Sequence, residues 1–523
     1  MSARNAIVWT LTASVLIALV TPTAIGDGPV YKITELKADG NAQSKAYGIN
    51  NTGQIVGWTI VDGGLSHAAH WLNEVFTDLH GVVHLELLHP YPQFSGDVSE
   101  VYSISNADQI VGAGLTVIEC PEKVTILNAM IVQPAVLSDL ATPYPGDSVV
   151  NLGSFAHPCV GHDSAAVGIS NRNHVVGWAD VDGGGTVHAF LVTPVNGEWA
   201  ERDPNTLVNN HLRDLGTIDS GSTVSAATAV NDEGTVVGYT YIRSGRVSPV
   251  TGLTEAGYHA FRVVPLDANA DGLEDTWFAG ALPVNDLMED LGTLGGNNSW
   301  ARDINNMGQI VGESDTPSAD TRAFLWQNGQ MSDLGTLGGA NSSASRINEL
   351  GQVVGWAENA AGQRRAFVYV DGVMRDLNSQ LLATSNPKIT LTEARDINDS
   401  GQIVGWGVAK NGTEDVFQAF LLQLATVEEI AEAEAIVAQQ GAGSSPTGAT
   451  GSTGGSSDGA TASGVTIVGT PNTLADAPGA NPPESETDDG AAPASPSLCG
   501  TGLLGFLPLT VLTALGIRGR RRD

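Results

Sequence analysis

An acidic stretch near the middle of the chain has the residue types and spacing of a calcium-binding loop. In LDANADGLEDTWF, oxygen-bearing side chains alternate along the chain at Asp267, Asn269, Asp271 and Asp275. Oxygen ligands on alternate residues converge on one ion, the Leu273 carbonyl can supply a further ligand, and Gly272 permits the sharp turn. Phe278 replaces the usual bidentate Glu, so Asp286 or Glu289 would have to complete the shell. The pattern predicts a Ca²⁺ site, with a solvated acidic turn as the alternative.

Aromatic residues recur at one position of a repeated phrase and could stack on sugar rings. The phrase INNTGQIVGWT at residues 49–59 returns in seven copies, and the residue after its last glycine is aromatic in five of them. This slot holds Trp58, Ala113, Trp178, Tyr239, Glu313, Trp356 and Trp406. Because large rings also dominate protein cores, packing between neighbouring repeats is favoured over a ring of sugar-stacking groups.

Histidines occupy the first position of a second repeated phrase, where they could act as acids or bases. That slot holds His67, His188, His259, Arg322, Arg365 and Gln418 in different copies. Since it accepts any long polar residue, the sequence favours a structural position at a strand edge. The chain also has no Ser or Cys nucleophile motif and no phosphate-binding glycine loop.

Short strands and tight turns must position these residues, because three phrases recur seven times each. Copies of the first phrase begin at Ile49, Ile104, Ile169, Val230, Ile304, Ile347 and Ile397. Its fifth position is always Gly, Asp or Asn, the residue types that tolerate a left-handed backbone. The phrase therefore predicts a strand, a three-residue hairpin turn and a second strand.

The second and third phrases add two more strands to each unit. They are represented by RAFLW at 322–326 and SDLGT at 332–336, and the pair is joined by Asn328-Gly329. The next copy has Asp371-Gly372 at the same place. Both dipeptides are strong signals for a two-residue hairpin. Each unit thus holds four antiparallel strands.

Seven such units predict an all-β protein with a seven-bladed β-propeller of four-stranded antiparallel blades over residues 27–424. The alternative is an open β-solenoid, but the shortest spacing of 43 residues is near the length of a propeller blade. A solenoid also needs atypical end repeats, whereas here the end copies are the most regular. In a propeller, the strand at 31–37 would pair with the last second phrase at 418–422 and close the ring.

The segments after the repeats differ from them in composition. Residues 425–441 predict a short helix that begins with a capping box of Thr426 and Glu429 and ends at Gly441. Residues 442–498 are rich in Gly, Ser, Thr, Ala and Pro and have no aromatic residues. Such a composition cannot bury a core, so we expect a flexible, disordered linker.

The two ends predict export and membrane attachment. Residues 1–26 have a basic start, an apolar run and small residues before a cleavage position, as a secretory signal peptide does. Residues 499–523 place Cys499-Gly500 before an apolar stretch and a final Arg cluster. This layout resembles the C-terminal sorting signals of bacterial envelope proteins, which a membrane protease recognises. A transmembrane helix stopped by the Arg cluster is the simpler alternative, and it gives the same address at the cell envelope.

Export permits a disulfide, because cysteines outside the cytoplasm can oxidise. Cys120 and Cys159 are the two cysteines between the terminal segments, and they are the candidate pair. The stretch HPCVGH at 157–162 could instead bind a metal, although three mixed ligands form a weak signal. The disulfide is therefore the favoured interpretation.

The repeats resemble the extracellular HAF repeats of bacterial secreted proteins, named for the His-Ala-Phe triplet that stands here at 188–190 and 259–261. The resemblance covers residues 31–424. It implies secretion and a propeller, and it carries over no catalytic residues.

The function classes follow from charge and from the missing catalytic motifs. A net charge of −33 repels nucleic acid and anionic lipid, so neither is expected as a partner. Repeats without a convergent acid–base set favour a non-enzymatic binding or structural module at the cell surface, with an extracellular glycan or envelope component as partner. The alternative is a propeller enzyme acting on glycans as a hydrolase or lyase, which would need paired carboxylates about 5–10 Å apart.

Overall fold

The repeated phrases fold into seven four-stranded antiparallel sheets. The structure is a computed structural model that describes residues 28–38, 43–60, 65–79, 94–119, 123–133, 149–155, 162–182, 185–201, 208–247, 254–267, 276–385, 387–411 and 414–442. Strand β1 (Tyr31–Leu36) precedes the first blade. Blade 1 contains β2 (Ser44–Ile49), β3 (Ile55–Ile60), β4 (Ser66–Leu72) and β5 (Val75–Asp78). Blade 2 contains β6 (Phe94–Ile104), β7 (Ile110–Glu119), β8 (Lys123–Val132) and β9 (Val149–Gly153).

The next blades follow the same order. Blade 3 contains β10 (Ser164–Ile169), β11 (Val175–Asp180), β12 (Val187–Val192) and β13 (Leu212–Asp214). Blade 4 contains β14 (Ser225–Val230), β15 (Val236–Val247), β16 (Thr254–Val263) and β19 (Met288–Asp290), with a hairpin of β17 (Gly280–Ala281) and β18 (Val284–Asn285) before its last strand. Blade 5 contains β20 (Ser299–Ile304), β21 (Ile310–Asp315), β22 (Thr321–Gln327) and β23 (Gln330–Asp333).

The last two blades complete the ring. Blade 6 contains β24 (Gly338–Ile347), β25 (Val353–Asn359), β26 (Arg364–Val370) and β27 (Val373–Asp376), followed by a 3₁₀ helix, Leu377–Gln380. Blade 7 contains β28 (Thr390–Ile397), β29 (Ile403–Asn411) and β30 (Glu414–Leu424), and its fourth strand is β1. The first strand of each blade contacts the first strand of the next, and β28 contacts β2. The seven-bladed propeller is therefore confirmed, and the solenoid alternative is wrong because the ring is closed.

The chain closes the propeller where the sequence predicted. Strand β1 pairs antiparallel with β30, with Tyr31 opposite Leu424 and Leu36 opposite Ala419. This pairing gives blade 7 its outer strand and leaves neither strand with an unpaired edge on that side. The N-terminal strand thus supplies the third phrase that the last unit lacks.

The invariant glycine of the first phrase is explained by a backbone bulge. A Cβ on Gly355 would lie 2.1 Å from the carbonyl oxygen of Ser343 on the neighbouring strand. The other six copies would meet the matching carbonyl at 1.9–2.1 Å. In each pair the register shifts after this point, as between Ala344 and Arg346. Only glycine leaves room for a backbone that approaches so closely.

The second phrase explains how the blades pack. Successive residues of a strand point to opposite faces, so its Ala faces the following blade and its Phe the preceding one. Each pair of neighbouring blades shares a buried apolar cluster, such as Ala323 with Phe367 between blades 5 and 6. The equivalent contacts are Ala129–Phe190, Ala189–Phe261, Ala260–Phe324 and Ala366–Phe420. The core is therefore divided among the blade interfaces.

The segment after the propeller is helical as predicted. Helix α1 (Val427–Ala442) begins with a capping box in which Glu429 N–H donates to Thr426 Oγ1 at 3.2 Å and Thr426 N–H donates to Glu429 Oε2 at 2.8 Å. Lys32 of β1 pairs with Glu429 at 2.9 Å. Across the described ranges, no helix is both long and apolar enough to span a membrane. The predicted signal peptide, the linker and the C-terminal segment with Cys499 and Gly500 lie outside the described residues.

Candidate functional site

The histidines of the second phrase link the third and fourth strands of their blades. Three His Nδ1–carboxylate contacts of 2.9–3.1 Å join the second phrase to the Asp of the third; the pairs are His67–Asp78, His188–Asp214 and His259–Asp290. Asp290 also accepts from the backbone N–H of Gly292 at 2.8 Å, at the turn that leaves the blade. These contacts agree with the structural role that the sequence favours for this slot.

Most of the predicted metal and disulfide residues lie outside the residues that the structure describes. Asp267 is exposed, while Asn269, Asp271, Leu273 and Asp275 lie outside the described residues, as do Cys120 and Cys159. Glu289, a candidate extra ligand, accepts from Arg262 Nε at 2.7 Å. Within the described ranges, no group of three or more His, Cys, Asp or Glu side chains could hold a metal ion. The calcium site and the disulfide therefore remain predictions.

The turns of the first phrase form one face of the propeller, which we call the turn face. At its third position, each backbone N–H donates to the side-chain oxygen of the same position in the next blade, at 2.7–3.1 Å. The ring runs through Asn51, Asn106, Asn171, Asp232, Asn306, Glu349 and Asp399. It contains three carboxylates and no basic side chain. Burial, together with the charge of Asp399, raises the pKa of Glu349. The turn face is therefore acidic.

The opposite face, where the seven inner strands begin, carries a different set of side chains. Blades 6, 7 and 1 bring together a group that we call the Lys45 cluster: Lys45, Tyr47, Arg364, Glu393, Arg395 and Trp406. Lys45 and Glu393 hold the same slot, four residues before the first phrase, on β2 and β28. The closure of the ring makes their strands neighbours, although 348 positions separate the two residues in the chain.

Lys45 lies among aromatic rings. Its Nζ is 4.3 Å from the ring centres of Trp406 and Phe417 and 5.3 Å from that of Trp58. Such cation–π contacts stabilise the ammonium by roughly 0.5–2 kcal/mol, more where water is excluded. Burial lowers the pKa of Lys45 to about 8, partly offset by the nearby Glu393 carboxylate. The ammonium thus stays protonated at neutral pH in a partly dry setting.

Glu393 is shared by two arginines. Its buried carboxylate accepts from Arg395 Nη1 at 2.9 Å and also pairs with Arg364 Nη2. Arg364 is half exposed and lies over the ring of Trp356 at 4.0 Å, and Arg395 lies 4.8 Å from the ring of Tyr47. One carboxylate therefore fixes two guanidinium groups on aromatic faces.

Glu100 adds a buried acid beside the cluster. Only 2% of its surface is exposed, and its carboxylate accepts from Ser66 Oγ at 2.8 Å and from Tyr102 Oη at 3.0 Å. Burial raises the pKa of Glu100 to about 7, although these two hydrogen bonds and the Lys45 charge act in the other direction. Tyr102 also meets Tyr47 edge to face, with ring centres 6.1 Å apart. Burial therefore favours the protonated form of Glu100 more than it would for an exposed glutamate.

The aromatic slot of the first phrase mainly serves packing. Trp58, Tyr239 and Trp406 are at least nine-tenths buried, which agrees with the packing that the sequence favours. Trp178 and Trp356 are only half buried, so they keep an accessible ring. The slot thus supplies part of the Lys45 cluster without forming a ring of exposed aromatics.

Sequence reasoning missed the Lys45 cluster, although a signal existed. The slot four residues before the first phrase holds Lys45, Glu100, Ala165, Ala226, Trp300, Ser343 and Glu393. The next residue is always Ala or Val and packs between blades. This slot varies and is charged in some copies, whereas the slot beside it is constant. Such variation marks positions whose side chains the fold does not require.

The fold and site define a seven-bladed β-propeller with an acidic turn face and a cationic, aromatic cluster on the opposite face. The chain belongs to the family described as "Protein of unknown function (DUF3466)", whose model matches residues 151–427, more than half of the 523 residues. No curated protein matches the chain.

Several solved structures resemble the chain at low identity. TolB from Acinetobacter baumannii is 8% identical with a TM-score of 0.32, over 68% of this chain and 75% of TolB. A mutant of AofleA from Arthrobotrys oligospora is 11% identical with a TM-score of 0.31, over 66% of this chain and 88% of the other. An Aleuria aurantia lectin mutant in complex with alpha-methyl-L-fucoside is 10% identical with a TM-score of 0.28, over 66% and 94% of the two chains.

Proposed function

We propose that this protein is an exported, envelope-attached binding module that holds a saccharide at the Lys45 cluster. The observation that carries the proposal is the placement of Lys45, Arg364 and Arg395 against aromatic rings on one face of the propeller. Binding sites for small polar ligands combine apolar and aromatic walls with a few fixed polar groups. A ring of Trp offers a flat apolar surface to a sugar, and the adjacent charges can orient its polar groups.

The rest of the propeller supports a scaffold role. Its repeated side chains serve the turns, the strand links and the blade interfaces, as the His–Asp pairs and the Ala–Phe contacts do. The Lys45 cluster departs from this pattern and lies on blades 1, 6 and 7. Functional sites on repetitive folds arise where the repeat is broken.

Export and attachment rest on the sequence of residues 1–26 and 499–523. A chain truncated after Pro496 should be released into the medium or periplasm, while the full chain should stay with the envelope. Cell fractionation with an antibody against the propeller measures this distribution. Equal distribution of the two chains would contradict attachment through the C-terminal segment.

A glycan-active enzyme is the second candidate, and one observation favours it. Burial raises the pKa of Glu100 to about 7 and lowers that of Lys45 to about 8, although the charge of each group partly offsets the shift of the other. Paired groups with strongly shifted pKa values are characteristic of acid–base sites. If the protein is an enzyme, Glu100→Gln should abolish turnover. If it is a binding module, neither the native chain nor Glu100→Gln should show any turnover.

A saccharide array on the intact chain, combined with an assay for product release, tests the proposal. Trp356→Ala removes a half-buried ring beside Arg364, and Trp178→Ala removes the equivalent ring in blade 3 as a matched control. Binding without turnover that is lost only in Trp356→Ala supports the binding module. Turnover would favour the enzyme, and an absence of binding to the whole array would contradict both.

A further inference from the structure

We infer that the ligand of the Lys45 cluster is an acidic saccharide, whose carboxylate meets Lys45 and the adjacent arginines while its sugar ring lies against the half-buried ring of Trp356. This inference rests on the proposed function and specifies its ligand class.

The first support is a local excess of positive charge. Lys45, Arg364 and Arg395 face two carboxylates, those of Glu393 and Glu100. This balance is positive even with both acids ionised. The whole chain carries −33, so a cationic site is an exception on this surface. Guanidinium and ammonium groups together are the usual receptors of carboxylates.

The second support is the coordination of Lys45. An ammonium has three N–H donors. Among the described residues, Lys45 Nζ makes cation–π contacts but donates no hydrogen bond to an oxygen, while Glu393 is already engaged by Arg364 and Arg395. An incoming carboxylate would offer these donors a charged acceptor. A neutral sugar hydroxyl would satisfy the donor more weakly, because charge-assisted hydrogen bonds are roughly twice as strong.

The third support is the difference between the two faces of the propeller. The ring on the turn face has three carboxylates, Asp232, Glu349 and Asp399, and therefore repels an anion. The corresponding inner-strand slots of blades 3 and 4 hold Ala165 and Ala226, which bear no charge. An acidic sugar is thus directed to one face and to the blades that carry the Lys45 cluster.

Calorimetric titration of the intact chain with matched saccharides tests the inference. The probes are oligomers of galacturonate, mannuronate and glucuronate, each beside its carboxyl-reduced neutral counterpart. We expect at least one uronate oligomer to bind, and its reduced form to bind about tenfold to a hundredfold more weakly. Its affinity should also fall as salt is added, because partly exposed charges are screened.

Two variants with the same substitution separate the site from a general charge effect. Lys45→Met keeps the apolar stem and removes the charge at the cluster. Lys32→Met removes the charge of a lysine on the outer strand β1, which pairs with Glu429 of helix α1. Lys45→Met should lose about tenfold or more in affinity for the uronate and little for any neutral sugar, and Lys32→Met should bind as the native chain. Lys45→Arg should restore the preference for the acid.

The outcomes distinguish the inference from the function on which it rests. Equal binding of uronates and reduced sugars that depends on Trp356 would overturn the acidic ligand and leave the saccharide module standing. Uronate binding that Lys45→Met and Lys32→Met weaken equally would also overturn the assignment to this site. Failure of every saccharide to bind would overturn both.

Discussion

The side-chain amide of Asn398 donates to the backbone carbonyl of Asn50 at 3.0 Å, joining residues 348 positions apart in the chain. Both residues hold the second position of the first phrase, and both are buried. The same contact joins blades 4 to 5, 5 to 6 and 6 to 7, through Asn231, Asn305 and Asn348. Asn50 continues the series to Ser105 at 3.2 Å. The phrase therefore recurs because each copy binds the next around the axis.

This series predicts a matched pair of effects on stability. Ser105 and Ser170 accept backbone N–H groups of their own turns but have no amide with which to reach the next blade. Asn398→Ser should keep the turn and lose the link between blades 7 and 1, at about 1 kcal/mol. Ser105→Asn should add a link and stabilise by a similar or smaller amount. Chemical denaturation measures both, and a gain in Asn398→Ser would contradict the account.

The bulge glycine predicts a position that tolerates no side chain. Gly355→Ala would place a methyl group 2.1 Å from the Ser343 carbonyl and should destabilise by about 3 kcal/mol, since the backbone must shift. Gly308→Asn is the control, because Asp108 and Asn173 hold the same turn slot at φ of 63° and 65°. The control should change the free energy of unfolding by less than about 1 kcal/mol. Similar thermal unfolding of both variants would show that close approach is not the reason for the glycine.

The repeated phrases made the fold predictable from the sequence, whereas the Lys45 cluster could not be predicted from them. Turn and hairpin residues act locally. A turn such as the one at Gly308 or Asn328-Gly329 can therefore be predicted from a few residues of sequence. Closure by β1 followed from a missing third phrase in the last unit. The Lys45 cluster depends instead on side chains from separate blades, which meet only after the ring closes. Lys45 and Glu393 share a slot before the first phrase, but that slot varies from copy to copy, so their charges look like ordinary surface variation.

Glu100 predicts a pH dependence of stability. Its pKa in the folded protein is raised to about 7, so its contribution to stability is fully present below about pH 4.5 and is lost as pH rises through 7. Glu100→Gln carries no charge, and it should gain stability relative to the native chain by about 2–3 kcal/mol over this range. Thermal unfolding of the two chains at pH 4.5, 6 and 8 measures the difference; His70 and Asp396 titrate in both and cancel. If the difference in stability between the two chains does not change with pH, the pKa of Glu100 is not raised in the folded protein.

The acidic loop predicts weak calcium binding. Calorimetry on the intact chain should detect Ca²⁺ with a dissociation constant of about 10⁻⁴–10⁻³ M, as in other extracellular sites. The double variant Asp267→Ala, Asp271→Ala should lose this binding, and Asp232→Ala on the turn face should keep it. Absence of binding at millimolar Ca²⁺, or unchanged binding in the double variant, would contradict the predicted calcium site.

The placement of the ligand tests the central claim most directly. A crystal structure of the intact chain with a saccharide that binds it would locate the sugar relative to the two faces. We predict density on the face opposite the first-phrase turns, with the sugar ring against Trp356 and its carboxylate within hydrogen-bond distance of Lys45. Density on the ring that contains Asp232 and Glu349, or on the outer edge of a blade, would contradict the account.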